Sequence, residues 1–381
     1  MNDVLIVGAG PAGASLALRL ARAGRQVMML ERSRFPRLKV CGDYLCKGAI
    51  EALVSLEVAG EVLGDAHPIR SVALHAFGAH ARFPLPGRGA ASLPRALLDE
   101  RLLAAAQRAG AQLQRGAFVR ARSARGHVTV VYRDAHGAEC EASTRVLVGA
   151  DGAWSAVARN AGLARQRRSP GPWAIGGELH DHAGSDELTM YISSDAYYAR
   201  NPLGPKTVNT MLVAPKPPRR DAAETLVDQL SGGKLRFESA RMQRIVAIGP
   251  LRYRAHRVAK GRILLTGDAA ELLDPFTGQG VAAALTLSAP AAAAVEDLLR
   301  GEPDSLVERR YAARWRSIVG PRRMLTRLVH ALIHNPWLRR RALHGMRRDT
   351  RAAHAIVAAV SGDWPAAGTL PPAALLRLLA S

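Results

Sequence analysis

The sequence predicts an α/β fold in which a parallel-sheet domain of the dinucleotide-binding type is interrupted by a mainly antiparallel β-sheet domain and followed by a helical C-terminal segment. Three observations carry this expectation. A strand, Gly-rich turn, helix and second strand open the chain; two further strand-to-turn motifs begin at Gly149 and Gly267; and alternating, strand-like segments lie between them.

The first unit is the most specific. Val4-Leu5-Ile6-Val7 reads as a buried strand running into Gly8-Ala9-Gly10-Pro11-Ala12-Gly13, and a helix with Leu16, Leu18 and Leu20 follows. Gly24 ends that helix, and Val27-Met28-Met29-Leu30 forms the next strand, which stops at Glu31. This is a Rossmann-like βαβ unit with its glycine fingerprint in context. Gly8 permits the tight turn, Gly10 lets a pyrophosphate approach the helix N-terminus, and Gly13 lets the helix lie close to the sheet. Glu31, 18 positions after Gly13, is placed to accept hydrogen bonds from an adenosine ribose.

The second motif is the strand Val146-Leu147-Val148 opening into Gly149-Ala150-Asp151-Gly152, where Asp151 is either a ligand contact or an ordinary turn residue. In the third, the strand Ile263-Leu264-Leu265 delivers Gly267 and Asp268 at its C-terminal end, where ligands of α/β sheets bind. Pro275-Phe276-Thr277-Gly278-Gln279-Gly280-Val281 then leads into a long alanine-rich helix whose positive N-terminus would face the ligand.

Composition bounds the remaining classes. In 381 residues, 48% hydrophobic and 22% charged describe a globular chain with room for two or three domains. Three cysteines, Cys41, Cys46 and Cys140, make no disulfide framework and no zinc spacing, which fits a reducing, cytoplasmic compartment. The net charge is +21, yet only six of the 53 basic residues are lysine, and the arginines are spread along the chain without a nucleic-acid motif. An anionic membrane surface or an acidic substrate explains the charge as well as a nucleic acid does. The longest uncharged run, Pro275 to Val295, is too rich in Ala, Gly, Thr and Ser to read as a span, and the N-terminus lacks a signal-peptide pattern.

Taken in order, the GxGxxG, DG and GD…P…GxG motifs resemble those of the para-hydroxybenzoate hydroxylase superfamily of flavoproteins. Lys39-Val40-Cys41-Gly42-Asp43 and the PFTGQG stretch are most similar to its geranylgeranyl reductase-like family. The resemblance covers roughly residues 1–300. It implies FAD as cofactor, bound by Gly8, Gly10, Pro11, Ala12, Gly13, Glu31 and Arg32, with Asp268 on the ribityl chain and Gly267, Pro275, Gly278, Gly280 and Val281 around the flavin. It also implies that Arg95 lies beside the cofactor, that the backbone at Val119 meets the adenine, and that Asp151 contacts FAD and a reduced nicotinamide. The implied plan is a discontinuous FAD-binding domain of residues 1–70, 95–165 and 255–300, a substrate-binding β-sheet domain of residues 71–94 and 166–254, and a helical segment of residues 301–381.

For the substrate side, Cys41, Tyr44, Tyr198 and Arg200 are the candidate lining residues. Geranylgeranyl reductases carry Tyr-x-Trp-x-Phe-Pro as an aromatic floor. Here Tyr198 and Pro202 are read as retained, with Arg200 for the Trp and Asn201 for the Phe. Such polar replacements weigh against a polyprenyl chain; Tyr197 and Tyr198 as plain sheet aromatics, and Cys41 as a small buried hydrophobe, are the alternatives. Halogenation is not expected, because no Trp-x-Trp occurs and Lys47 is out of context. The expectation is therefore an FAD-dependent monooxygenase or oxidase acting on a small, partly hydrophobic polyketide-like or aromatic molecule, with NADPH or NADH as reductant. Reduction of an isoprenoid double bond is the alternative; a nucleic-acid or membrane-binding protein is a third.

Between Gly301 and Val360, 13 arginines face four acids, and Leu325, Leu328, Val329, Leu332 and Ile333 make an apolar stripe. A helix packed on the FAD domain with a solvated basic face accounts for this pattern, as does peripheral membrane contact. A last short helix is expected at Ala373 to Leu379.

Overall fold

The computed structural model describes residues 1–85, 89–165, 170–180, 184–217, 219–233, 242–338 and 340–341; the expected helix at Ala373 to Leu379 lies outside them. Strand β1 (Asn2–Val7), helix α1 (Pro11–Arg22) and β2 (Val27–Glu31) form the opening unit. A connecting layer follows: β3 (Tyr44–Leu45), α2 (Lys47–Ser55), α3 (Ala59–Leu63) and β4 (His67–Ile69). The hairpin β5 (Ser71–Ala76) and β6 (Ala79–Pro84) precedes β7 (Ala90–Ser92) and α4 (Arg95–Arg108). Three long strands come next, β8 (Gln112–Ala124), β9 (His127–Asp134) and β10 (Glu139–Gly149), then α5 (Ala156–Asn160).

The second sheet is built from β11 (Trp173–His180), β12 (Glu187–Ile192), β13 (Tyr197–Pro202) and β14 (Thr207–Ala214), then α6 (Arg220–Ser231) and β15 (Met242–Ile248). Of four short strands, β17 (Ala259–Lys260) and β18 (Ile263–Leu265) return the chain to the first sheet, while β16 (Tyr253–Arg254) and β19 (Glu271–Leu272) pair with each other. Helices α7 (Gly280–Leu299) and α8 (Asp304–His334) complete it.

In the first sheet, β1 pairs in parallel with both β2 and β10, β2 continues in parallel to β8, and β10 to β18. The distal halves of β8 and β10 leave this parallel core and pair antiparallel with β9. The central strands are apolar without alternation, as in a sheet covered on both faces: Val4, Leu5 and Ile6 of β1 and Val146, Leu147 and Val148 of β10 are wholly buried. The second sheet runs β15-β11-β14-β13-β12-β5-β6 and is antiparallel except where β12 meets β5. One of its faces carries α6, whose Ala223 and Val227 pack with Tyr198, Val208 and Leu212. By length and composition α7 could cross a membrane, but it packs against α1, α2 and α8 as a core helix.

The turn after β1 shows why glycine is needed there. Gly8 has φ +101°, and a Cβ on it would lie 2.4 Å from the carbonyl oxygen of Ala150. A Cβ on Gly13 would lie 1.9 Å from the carbonyl oxygen of Gly8. Three segments thus meet backbone to backbone at the start of α1. Gly13→Ala is expected to cost about 1–3 kcal/mol through overpacking, measured by denaturant unfolding.

Candidate active site

A cavity of about 1190 Å³ runs from the β1–α1 turn to the second sheet and α8. It exceeds the ~300–1,000 Å³ usual for small-molecule sites, so it has room for an extended ligand and a second molecule. At one end Gly8, Gly10, Pro11, Ala12, Glu31 and Arg32 line it, while Gly13 stands just behind, packed on Gly8. Pro11 opens α1 with no acidic residue in the first turn, leaving the positive helix end to a ligand. The Glu31 carboxylate accepts hydrogen bonds from the backbone N–H of Ala9 at 2.9 Å and of Ser33 at 2.8 Å, and from Arg37 at 3.0 Å.

Arg37 also reaches Asp99 on α4, at 3.2 Å, and Arg95 donates to the same carboxylate at 2.8 and 3.0 Å. Asp99 is 0% exposed, so the chain Glu31–Arg37–Asp99–Arg95 is a buried ionic network along the cavity floor. Arg95 lines the cavity, as the resemblance implies. Val119 does not: it sits at a register shift of β8 against β9, between Phe118 and Arg120, and Gly116, Ala117 and Phe118 form the wall instead. The bulge rotates the strand by one residue, which no sequence pattern marked.

In the middle of the cavity three elements converge. Asp268, in the 3₁₀ turn after β18, faces Lys39 and Arg95. Burial pushes its carboxyl up and the two cations oppose that; burial likewise lowers the Lys39 ammonium, which Asp268 counteracts. Gly267 is set back from the cavity, with its Cα against Ala12 of α1. Pro275, Gly278, Gly280 and Val281 line the cavity where α7 begins, again with no acid in the first helical turn. The ring of Tyr44 lies on Gly278, where a Cβ would come within 2.7 Å of it.

Asp151 has the structural role of a turn residue at the edge of the cavity. It lines the cavity, yet its carboxylate accepts from Ser155 Oγ at 2.5 Å and from the N–H of Ala156 at 2.7 Å, fastening the start of α5.

The loop carrying Cys41 is clamped to the second sheet. Asn201 Nδ2 donates to the Gly42 carbonyl at 2.7 Å, while Ser92 Oγ donates to Asn201 Oδ1 at 2.8 Å. Asn209 Nδ2 donates to the Cys41 carbonyl at 2.9 Å and also to Asp43. Asp43, with φ +53°, accepts from the backbone N–H of Arg95 at 3.1 Å; burial pushes its carboxyl up to about 7. Burial also pushes the Cys41 thiol up, so it stays protonated in the wall.

Two of the expected substrate residues are corrected. On β13 the alternate residues Tyr197, Ala199 and Asn201 line the cavity, and Tyr198 and Arg200 do not. Tyr198 is 1% exposed and packs beneath α6 on the opposite face of the sheet. The strand period of two decides this: a shift of one residue exchanges faces. Counting back from Pro202 along Tyr-x-Trp-x-Phe-Pro places the Tyr at Tyr197, the Trp position at Ala199 and the Phe position at Asn201, which is the set that faces inward. The rest of this wall is apolar, with Val72, Leu74, Leu188, Met190, Ile192 and Met211 from the sheet and Val329 and Ile333 from α8.

Lys39, Arg37, Asp43 and Asn209 were not singled out from sequence. Lys39 and Asp43 flank Cys41 in a segment already marked; for Asn209, 166 positions from Asp43, no local signal exists.

A family model described as an FAD binding domain matches residues 1–320. Menaquinone reductase of Mycobacterium tuberculosis is 31% identical over 331 residues, covering 81% of this chain and 80% of that protein. Rifampicin monooxygenase of Streptomyces venezuelae is 26% identical over 299 residues, covering 74% and 61%. Among solved structures, a geranylgeranyl bacteriochlorophyll reductase-like protein from Thermoplasma acidophilum superposes with a TM-score of 0.79 at 19% identity, covering 100% of this chain and 96% of that one, a likeness of fold.

Two tests follow from the charged groups. Asp99→Ala strips the shared carboxylate from Arg37 and Arg95, and a loss of about 3–5 kcal/mol in unfolding free energy is expected. For Asp43 the folded carboxyl titrates at about 7, above its value of 3.8 in a free chain, so the folded state holds the extra proton between them. Its contribution to stability is therefore full at low pH and falls as pH rises toward 7. Thermal melts across that window should show the decline, and Asp43→Asn should remove it.

Proposed function

The chain belongs to the FAD-binding-domain family and is an FAD-dependent oxidoreductase; from that premise we propose that it reduces a carbon–carbon double bond in a long, apolar substrate of the isoprenoid-lipid class. The residues present fit the cofactor. Gly8 and Gly10 with the open end of α1 would take the pyrophosphate, Glu31 the adenosine ribose, Asp268 the ribityl chain, and the start of α7 the isoalloxazine edge. When bound, FAD supplies hydride chemistry to this cavity.

The observation that carries the proposal is the apolar wall. The sequence weighed against a polyprenyl chain because of Arg200 and Asn201. Arg200 is not part of the cavity lining, and both ends of the Asn201 amide are engaged by Gly42 and Ser92. Besides the engaged amide of Asn201, what lines the substrate space on β13 is Tyr197 and Ala199. Ala199, at the position of an indole, widens the space and suits a bulky chain. The second sheet and α8 bind that chain and exclude water from the reacting carbons. Among the described residues Tyr197 Oη is buried without a hydrogen-bond partner, and burial raises the phenol well above its ordinary value. It therefore stays a neutral phenol in the cavity wall. The likeness to menaquinone reductase, named for a lipid, supports the same substrate class.

NADPH or NADH is the electron source in this reading. The test is anaerobic incubation of the reduced holoenzyme with a polyprenyl quinone or a geranylgeranyl lipid. A product heavier by two hydrogen atoms, formed as the flavin reoxidises, is expected. A product that gains an oxygen atom and forms only in air would overturn the reading in favour of oxygenation. Ala199→Trp should raise the KM for the long substrate about tenfold while FAD stays bound, measured by kinetics and the visible spectrum.

A further inference from the structure

The apolar cavity opens beside two segments that are themselves exposed. Phe77, in the turn between β5 and β6, lines the cavity and is 40% exposed. Ile333, near the end of α8, lines it as well and packs on the same apolar cluster as Ala76, the neighbour of Phe77. Four residues beyond Ile333, past the extended Asn335 that ends α8, stands Trp337, 60% exposed, with the Arg341 guanidinium 5.2 Å from its ring centre. An exposed Phe and Trp at the rim of an apolar cavity are costly in water and ordinary at a lipid–water interface.

Along the last turns of α8 and just beyond it the charged residues are all basic. From Arg309 to Arg341 the sequence holds ten arginines and no acid. Arg310 and Arg323 are spent on acids elsewhere in the fold, while Arg327 and Arg340 are exposed. The whole chain carries +21, so its net charge has the same sign as the patch. Aromatic side chains to enter the interface and arginines to meet phosphate are the two components of anionic membrane binding.

We propose that the rim formed by the β5–β6 turn and the end of α8 docks on an anionic phospholipid bilayer, so that a lipid enters the cavity directly from the membrane. This goes beyond the reaction proposed above and holds whether the cavity supports reduction or oxygenation.

The test is sedimentation of the full-length holoenzyme with vesicles of phosphatidylcholine alone, or mixed with phosphatidylglycerol, at physiological ionic strength. Binding to the mixed vesicles at least about fivefold tighter than to the neutral ones is expected. Trp337→Ser and the double variant Arg340→Gln/Arg341→Gln, which lie outside the cavity lining, should each weaken it by about fivefold or more. Both should keep the wild-type melting profile and turn over a detergent-dispersed substrate normally. Equal binding to neutral and anionic vesicles, or vesicle binding unchanged in both variants, would overturn the proposal. Tighter binding to duplex DNA than to anionic vesicles at equal negative charge would also overturn it, in favour of a nucleic-acid surface. Vesicle binding does not depend on turnover, so its failure is separable from failure of the proposed reaction.

Discussion

Two buried carboxylates, Glu31 and Asp99, share one guanidinium, that of Arg37, and Asp99 holds a second, Arg95. This network joins the end of β2, the loop that follows it and the first turn of α4. Each member is tolerable in the interior only because the others are present: an unpaired charge there would cost several kcal/mol. The same residues set the width of the cavity between the glycine turn and the Cys41 loop. The loop is thus braced from below by ion pairs and from the side by Asn201 and Asn209, with Asp43 as the shared corner.

That bracing accounts for a division of labour along the cavity. Its glycine-turn end is polar and closely specified, with helix ends and a pinned carboxylate. Its far end is a broad apolar wall from β5, β12, β13 and α8, where shape and hydrophobic burial dominate. Asp268 and Lys39 lie between the two regimes, each shifted by burial and each partly restored by the other. This charge pair sits at the seam between the hydrogen-bonding end of the cavity and its apolar end.

The parallel core and the three cofactor motifs were legible because each rests on local covalent demands. Glycine at Gly8, apolar runs without alternation, and an acid at a strand end are all readable within a few residues. The substrate face was not, because its identity depends on the phase of a strand. Tyr197 and Tyr198 are adjacent and alike, and only the covering helix α6 decides which of them is core. The bulge at Val119 is a similar case, since a register shift leaves no compositional trace. Pairs such as Asp43 and Asn209 are created by the meeting of distant strands, so no window of sequence contains them.

The glycine-turn end and the apolar end belong to one continuous space, lined from Gly8 through to Ile333. Occupancy at one end therefore forms part of the wall at the other. With FAD seated, its exposed edge would complete the wall of the apolar half. Ligands selected against flavin-free protein would be chosen for a different cavity, one that rewards molecules long enough to fill both halves.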